Sequence, residues 1–480
     1  MLKGRGFHAD NLMNNTYVSP FSSRYAGKEM SFLFSPEYRI ISFRKLWYQL
    51  AKAQKELGLN ISNEQLCEME AHLEDIDFKA AHAYEKSFRH DVMAHIHTFG
   101  DQCPNARSII HLGATSCFVT DNADLIIMKE GLHLLQAKLL GVIEQLHYFA
   151  KKNADLPCLS FTHLQPAQPT TVGKRAALWL QDFYFDFDEL SQRAIQLYFL
   201  GAKGATGTQA SFLALFDNDK HKVKKLDSLL RQAFGFTKTV PVSGQTYTRK
   251  IDMLVINALS SFAASCHKFA TDIRLLSSMG EIKEGFDLTS QVGSSAMPHK
   301  QNPIFSERIC SLGRFLISLA QNPAYTAATQ WLERSLDDSA NRRLVLAESF
   351  LCADSLLNLV AKVVKHLSVN THTISARLKE NAPQLAAEAI LMAAVKRGGD
   401  RQIIHETLRK LTQLPSEDFI ARALETPELG LTKKMLQDLL NPDRQIGLAT
   451  EQTLDFLKTE TGPLLRKYKN LIAPPNEVEI

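Results

Sequence analysis

The sequence predicts an all-α protein of three domains built around a long central helical bundle. Three observations carry this reading. Apolar residues recur at steps of three and four along most of the chain, period-two alternation is sparse, and prolines and glycines gather at a few joints. The 480 residues leave room for two to four domains at roughly 150 residues each.

In chain order, an N-terminal helical domain spans 1–115 and contains the loop DQCPNA at 101–106. A central bundle domain spans 116–369. Its first long helix is read from Leu125, Met128, Leu132, Leu135, Leu139, Val142, Leu146 and Phe149, which lie on one face of residues 122–152 with no proline among them. At 1.5 Å per residue that helix is about 45 Å long. The same periodicity predicts helices over 174–200, 248–282, 306–320 and 341–366. Between them, LPCLSFTHLQPAQPTT (156–171) reads as a proline-broken loop and GAKGATGTQ (201–209) as a glycine-rich one. TVPVSGQT (239–246) is the best short strand candidate. A C-terminal helical domain of shorter elements occupies 370–480, with ENAPQLAAE (380–388) near its start. Long helices with short connections argue for antiparallel bundle packing.

Composition narrows the function classes. Hydrophobic residues make up 45% and charged residues 22%, an ordinary globular balance. A net charge of +4, from 55 basic and 51 acidic residues, argues against a nucleic-acid coat, so anion recognition must come from local clusters. The cysteines (Cys67, Cys103, Cys117, Cys158, Cys266, Cys310, Cys352) are scattered singly with no CxxC pair, which reads as reduced thiols. The first residues, MLKGRGFHADNLMNN, lack a signal-peptide core, and no run of 18 apolar residues is found. The expectation is a soluble, cytoplasmic protein with no nucleic-acid or membrane partner.

Several stretches carry candidate chemistry. GSSAMPHKQNP (293–303) sets Ser294 and Ser295 a few residues from Lys300. A serine hydroxyl is a poor base unless an ammonium and backbone N–H groups stabilise its alkoxide. Pro298 and Pro303 stiffen the lysine side, so a lid hinged at Gly293 is predicted. The competing reading is a connecting loop with a surface lysine. His163, in FTHLQPAQ, suits proton transfer near neutral pH, against a structural hydrogen-bonding role. RHDVMAHIH (89–97) raises metal binding, but HExxH is absent and Asp91/His95 is a single i,i+4 pair, so no metal is expected. Arg89 and His90 fit an anion pocket better, against a solvated helix face. GAKGATGT lacks the GK[ST] of a triphosphate loop, and tight turning explains its glycines equally well. Arg24, Arg308, Arg334 and Arg343 adjoin these motifs. LDDSANRR reads either as an internal salt-bridge segment or as part of a phosphate- and carboxylate-binding cleft.

Taken together the stretches resemble one family. GSSAMPHKQNP is similar to the fumarase/aspartase superfamily signature, GSSxMPxKxNP in general form. SSRYA, RHDVMAHIHTFG, HLGATS, FTHLQPAQ, TGTQASF, SGQTYTRK and LDDSANRR resemble the adenylosuccinate lyases, in order from Arg24 to Arg343 and closest to the animal-type branch. The resemblance implies a three-domain fumarase/aspartase-type fold and a homotetramer whose active sites are shared between subunits. It implies a cofactor-free elimination of fumarate from two substrates, adenylosuccinate (giving AMP) and the succinylcarboxamide ribotide SAICAR (giving AICAR). Residue by residue, it puts the general base at Ser294 with Ser295 beside it, and the general acid at His163, assisted by His90. Lys300 and Asn302, with Thr115 and Ser116, would hold the succinyl carboxylates. Arg24, Tyr25, Arg334, Ser339 and Arg343 would take the phosphate end, Arg89, His90 and Asp91 would support the pocket, and Gln245 and Arg308 would contact substrate. Gln301 departs from the arginine usual in the family, which is expected to alter lid electrostatics but not the reaction. The alternatives are another fumarate-releasing lyase, such as one for argininosuccinate, or an inactive helical scaffold; the presence of Ser294, His163 and Lys300 counts against the scaffold.

Overall fold

Helix α1 (Pro36–Glu56) leads into an antiparallel pair, α2 (Phe78–Phe88) and α3 (Asp91–Gln102), in a computed structural model that describes residues 17–285, 296–297 and 299–473. Five long helices follow: α4 (Ser116–Lys152), α5 (Val172–Gln196), α6 (Lys250–Ser278), α7 (Ile304–Leu319) and α8 (Asp338–Lys365). The apolar stripe read from the sequence is what α4 buries: Leu125, Met128, Leu132, Leu135, Leu139, Val142 and Leu146 are all fully inside. Each such side chain contributes roughly 1.5–3 kcal/mol of burial. The helix starts at Ser116, earlier than its periodicity indicates, because residues 116–124 carry the polar groups of a buried ion network.

That network fixes the helix directions. Arg249, just before α6, bonds Asp121 of α4 (2.9 Å) and Asp338 of α8 (2.6 Å). Arg342 of α8 pairs with Asp124 (3.0 Å) and Asp252 (2.7 Å), and the Tyr247 hydroxyl donates to Asp252 (2.6 Å). The beginnings of α4, α6 and α8 therefore meet at one end of the bundle, called the near end below. Lys138 of α4 pairs with Asp354 midway along α8, so these two helices run side by side in the same direction. Helix α7 runs the other way: Phe305 at its start lies under the Lys362 ammonium, near the end of α8, and Leu312 accepts a hydrogen bond from Cys352. α5 reverses direction after α4.

At the far end a two-residue turn joins strands β1 (Pro157–Thr162) and β2 (Gln165–Thr171) into an antiparallel hairpin. This corrects the loop expected there. A lone two-stranded ribbon has two free edges, so prolines at 157, 166 and 169 are tolerated without breaking a larger sheet. A second small ribbon pairs β3 (Ile282–Lys283) with β4 (Ser368–Val369). TVPVSGQT forms no strand beyond an isolated bridge from Phe199 to Thr239. Its Ser243–Gly244 backbone instead packs against Gly207, where an added Cβ would lie 1.9 Å from the Ser243 carbonyl oxygen. Close backbone approach explains that glycine of GAKGATGT. By length and composition helix α8 could cross a membrane, but it is mostly buried within the bundle, as a core helix of this composition would be.

Beyond β4, α9 (Thr371–Glu380) and α10 (Ala382–Val395) open the C-terminal region. One apolar cluster runs from Phe21 to Leu385 and includes Leu457; a second, from Ala386 to Leu436, belongs to the C-terminal helices.

Candidate active site

The near end gathers the larger share of the sequence-predicted residues. RHDV is not helix interior. Arg89 ends α2 in the left-handed conformation (φ 53°), and His90 caps α3 by accepting the Met93 N–H at its Nδ1 (3.4 Å). The break turns Arg89, His90 and Asp91 outward together. Asp91 accepts from the Val92 N–H (2.8 Å) and from Arg343 (2.9 Å). Burial raises its carboxyl, but those two donors and His90 outweigh it and hold the group below the usual carboxylate range. The His90 Nε2 lies 3.5 Å from the Ser116 hydroxyl, at the first turn of α4, with Thr115 as the preceding extended residue. An exposed histidine, the Ser116 hydroxyl and a helix N-terminus thus lie side by side.

Beside them, Gln245 is pinned at three points. Its N–H donates to the Glu333 carbonyl (3.0 Å), its side-chain amide donates to Ala205 (3.2 Å), and its amide oxygen accepts from the Cys117 thiol (3.4 Å). Arg334 donates to Asp338 (2.8 Å), whose other oxygen is held by Arg249. Burial raises the Asp338 carboxyl, and the two guanidiniums outweigh it, so it stays ionised. LDDSANRR is therefore a salt-bridge segment, the first of the two readings the sequence offered, and its Asp338 holds Arg334. Ser339 sits one residue on, in the first turn of α8. Arg342 is consumed inside, whereas Arg343 points outward to Asp91.

Sequence reasoning missed the supports: Cys117, Asp121, Arg249 and Arg342, and also His111, whose Nδ1 accepts the Trp47 indole N–H (2.8 Å). His111 lies in HLGATS and Arg249 in SGQTYTRK, so the segments were in view; only burial distinguishes the roles. Burial, with His90 nearby, lowers His111 to about 4, which leaves it a neutral ring behind His90.

Arg24 and Tyr25 lie elsewhere, on a π-type turn (Phe21–Tyr25) packed along α8. Asn358 donates to the Tyr25 carbonyl (3.4 Å) and Asp354 accepts the Gly27 N–H (2.6 Å), so the core of α8 fixes this turn.

The remaining residues are at the far end. His163 occupies the tip of the β1–β2 hairpin, exposed, with φ 53° followed by Leu164 at 56°. Two successive left-handed residues make the tight turn a right-twisted hairpin prefers, at a steric cost that non-glycine residues bear. Residues 286–295 and 298 fall outside the described region, so Gly293, Ser294, Ser295 and Pro298 receive no placement. The two flanks of the segment expected to be a lid are placed. Glu284 accepts from the Phe305 and Ser306 N–H groups (2.9 and 2.8 Å) and from the Ser306 hydroxyl (2.6 Å), capping α7 and tying both ends of the loop to one point. Gly285 packs so tightly on His366 that a Cβ would lie 2.2 Å from the histidine's own. Lys300 and Asn302 emerge beside a 120 Å³ cavity lined by residues including Ser277, Lys283, Glu284 and His299. Arg308, one turn into α7, lies over Phe305 and keeps one buried guanidinium nitrogen without a hydrogen-bond partner among the described residues.

Apart from Arg24 and Tyr25, the predicted residues among those described thus form two groups a bundle length apart. Ser116 begins α4 and the His163 hairpin follows its end; 37 residues at 1.5 Å each make about 55 Å. Arg343 and Lys362, which marks the lid end, are about 28 Å apart on α8 by the same rise. A single chain does not bring His163 and Lys300 to His90 and Arg334.

Comparison with known proteins follows the same outline. The chain matches the family described as "Lyase" over residues 50–314 and that described as "Adenylosuccinate lyase C-terminus" over 383–456. It is 46% identical to the adenylosuccinate lyase of Schistosoma mansoni, covering 97% of this chain and 99% of that protein. It is 45% identical to the adenylosuccinate lyase of Schizosaccharomyces pombe, with 95% and 97% covered. Among solved structures, the 3-carboxy-cis,cis-muconate lactonizing enzyme of Pseudomonas putida superposes with a TM-score of 0.81 at 22% identity, over 92% of this chain and 99% of that one. A fumarate lyase from Mesorhizobium sp. BNC1 gives 0.80 at 22% identity, over 92% and 100%. These two likenesses concern the fold.

Proposed function

The chain belongs to the adenylosuccinate lyase family, and from that premise we propose how it works as a lyase: it eliminates fumarate from adenylosuccinate, giving AMP, and from SAICAR, giving AICAR. The observation that carries the reaction is similarity over nearly the whole chain to relatives of that name. The reaction breaks a C–N bond and removes a proton from the neighbouring carbon. The electron pair of the C–H bond becomes the new C=C bond, and the nitrogen leaves with the C–N pair and takes up a proton. One base and one acid close this balance.

His163, exposed at a rigid hairpin tip, is the acid that protonates the leaving nitrogen, and Ser294 of the lid is the base. As the C–H proton departs, charge spreads onto the adjacent carboxylate, where Lys300 and Asn302, with Thr115 and Ser116, supply positive charge and hydrogen-bond donors. Arg334 and Arg343, aimed by Asp338 and Asp91, receive the anionic nucleotide end together with Arg24, Tyr25 and Ser339, while Arg89, Gln245 and Arg308 contact substrate and His90 assists proton handling.

The separation of the two groups within one chain supports a shared site. We take the working unit to be a homotetramer in which the near end of one subunit meets the hairpin and lid of others. Its parallel and antiparallel long helices offer exposed apolar side chains, such as Leu178, Phe185, Leu254 and Phe315, for that association. A cytoplasmic enzyme fits the seven cysteines, all free thiols.

The test is direct: incubate the pure protein separately with adenylosuccinate, SAICAR, argininosuccinate and aspartate and measure fumarate. Release from the first two alone is expected. Release from argininosuccinate or aspartate alone would overturn the reading.

A further inference from the structure

Glu281 is a carboxylate in an unusual position. It lies between the end of α6 and β3, is fully buried, and neither of its oxygens accepts a hydrogen bond among the described residues. Its counter-charges come from two other elements: Arg175 in the first turn of α5, at 3.8 Å, and Arg377 of α9, at 3.5 Å. Burial raises the carboxyl and the two guanidiniums oppose it. A buried charge held by electrostatics alone is costly, and removing one member strands the others. Hydrophobic residues of similar volume would stabilise the fold as well, so stability does not account for the triad.

Its attachments supply a reason. Through its other guanidinium nitrogen Arg175 donates a hydrogen bond to the Leu159 carbonyl (2.7 Å) on β1, four residues before His163 in the same hairpin. Arg377 donates to the Met279 carbonyl (3.1 Å), at the end of α6. The Glu281 backbone carbonyl accepts from Asn370 (2.8 Å), and β3, which follows directly, pairs with β4. Three residues on, Glu284 clamps both roots of the lid. The hairpin carrying the proposed acid, the root of the proposed base's lid and the first C-terminal helix therefore meet at one carboxylate.

We propose that Glu281 is a positioning residue, which through Arg175 and Arg377 sets the His163 hairpin and the lid root in fixed relation to the bundle. Its catalytic consequence rests on the elimination reading above; its structural consequence does not. Glu281→Gln keeps the shape and removes the charge. In the full-length protein, deuterium exchange of the β1–β2 amides is expected to accelerate while that of α3 is unchanged. For fumarate release, kcat should fall about tenfold, with KM within about twofold, because a displaced acid loses transition-state geometry before it loses binding. Arg377→Gln, on a more exposed side chain, should act in the same direction. Members of one network are non-additive, so the double variant should be no slower than Glu281→Gln alone.

Unchanged hairpin exchange, a kcat within about twofold of the parent, or effects that multiply in the double variant would each overturn the proposal. If Glu281→Gln is insoluble, Arg377→Gln alone decides on the same two readouts. If the parent itself releases no fumarate, the reading of the reaction fails and the exchange measurement alone judges the triad.

Discussion

His163 sits in backbone geometry that side chains resist, and it is held there by a turn of two left-handed residues. Such strain is retained where the surrounding structure over-determines it. A ring fixed at an exposed tip reaches substrate without a search through rotamers and loop states. His163→Ala should therefore lower kcat by about two to four orders of magnitude, the usual contribution of a positioned acid. Ser294→Ala should do the same while substrate still binds. Rapid-quench turnover and equilibrium binding check both, and near-normal turnover in either variant contradicts its assigned role. At this scale the sequence was informative about outward-facing groups and silent about inward ones. Arg343 and Arg342 are neighbours in LDDSANRR, yet one faces the cleft and the other is spent on Asp124 and Asp252. Adjacent arginines differ only in which way the helix turns them, and pairing partners come from elements distant in sequence.

Helices were legible because burial leaves a 3.6-residue trace. The stripe on α4 is buried from Leu125 to Leu146, interleaved with buried polar groups such as Lys138 that the period does not reveal. The hairpin was not, since its prolines and polar residues imitate a loop and its pairing is local to one exposed ribbon. RHDVMAHIH looked continuous, whereas Arg89 takes φ 53° and breaks it, an option that arginine composition does not advertise. The lid root shows how an element end becomes functional. Glu284 gives α7 the cap that Pro303 and Ile304 cannot, while anchoring the loop's entry and exit together. Glu284→Ala should cost about 1–3 kcal/mol, with three donors left unmet in a buried place. Urea unfolding measures it, and an unshifted midpoint would show that the clamp carries no weight.

The whole molecule presents the main paradox, and the bundle resolves it. Parallel α4, α6 and α8 bring their starts together beside the α2–α3 break, while the hairpin and the Glu284 loop root follow the ends of α4 and α6. A rigid rod of this length keeps the two groups apart in any one chain, and the proposal of a site shared between subunits rests on that separation. The sequence suggested shared sites only through the family resemblance, and they remain a proposal, because sequence periodicity gives helix lengths but not which ends coincide. The buried Asp121–Arg249–Asp338 bridge supplies that.

The most direct measurement is complementation between two histidine variants. His90→Ala and His163→Ala, each inactive or nearly so, are denatured or dissociated, mixed in equal amounts and reassembled, with mixed tetramers verified by native mass spectrometry. If His90 and His163 reach one substrate from different subunits, random mixing restores about a quarter of the parental sites. Mixed tetramers that stay as inactive as their parents would contradict a site built from opposite ends of neighbouring chains.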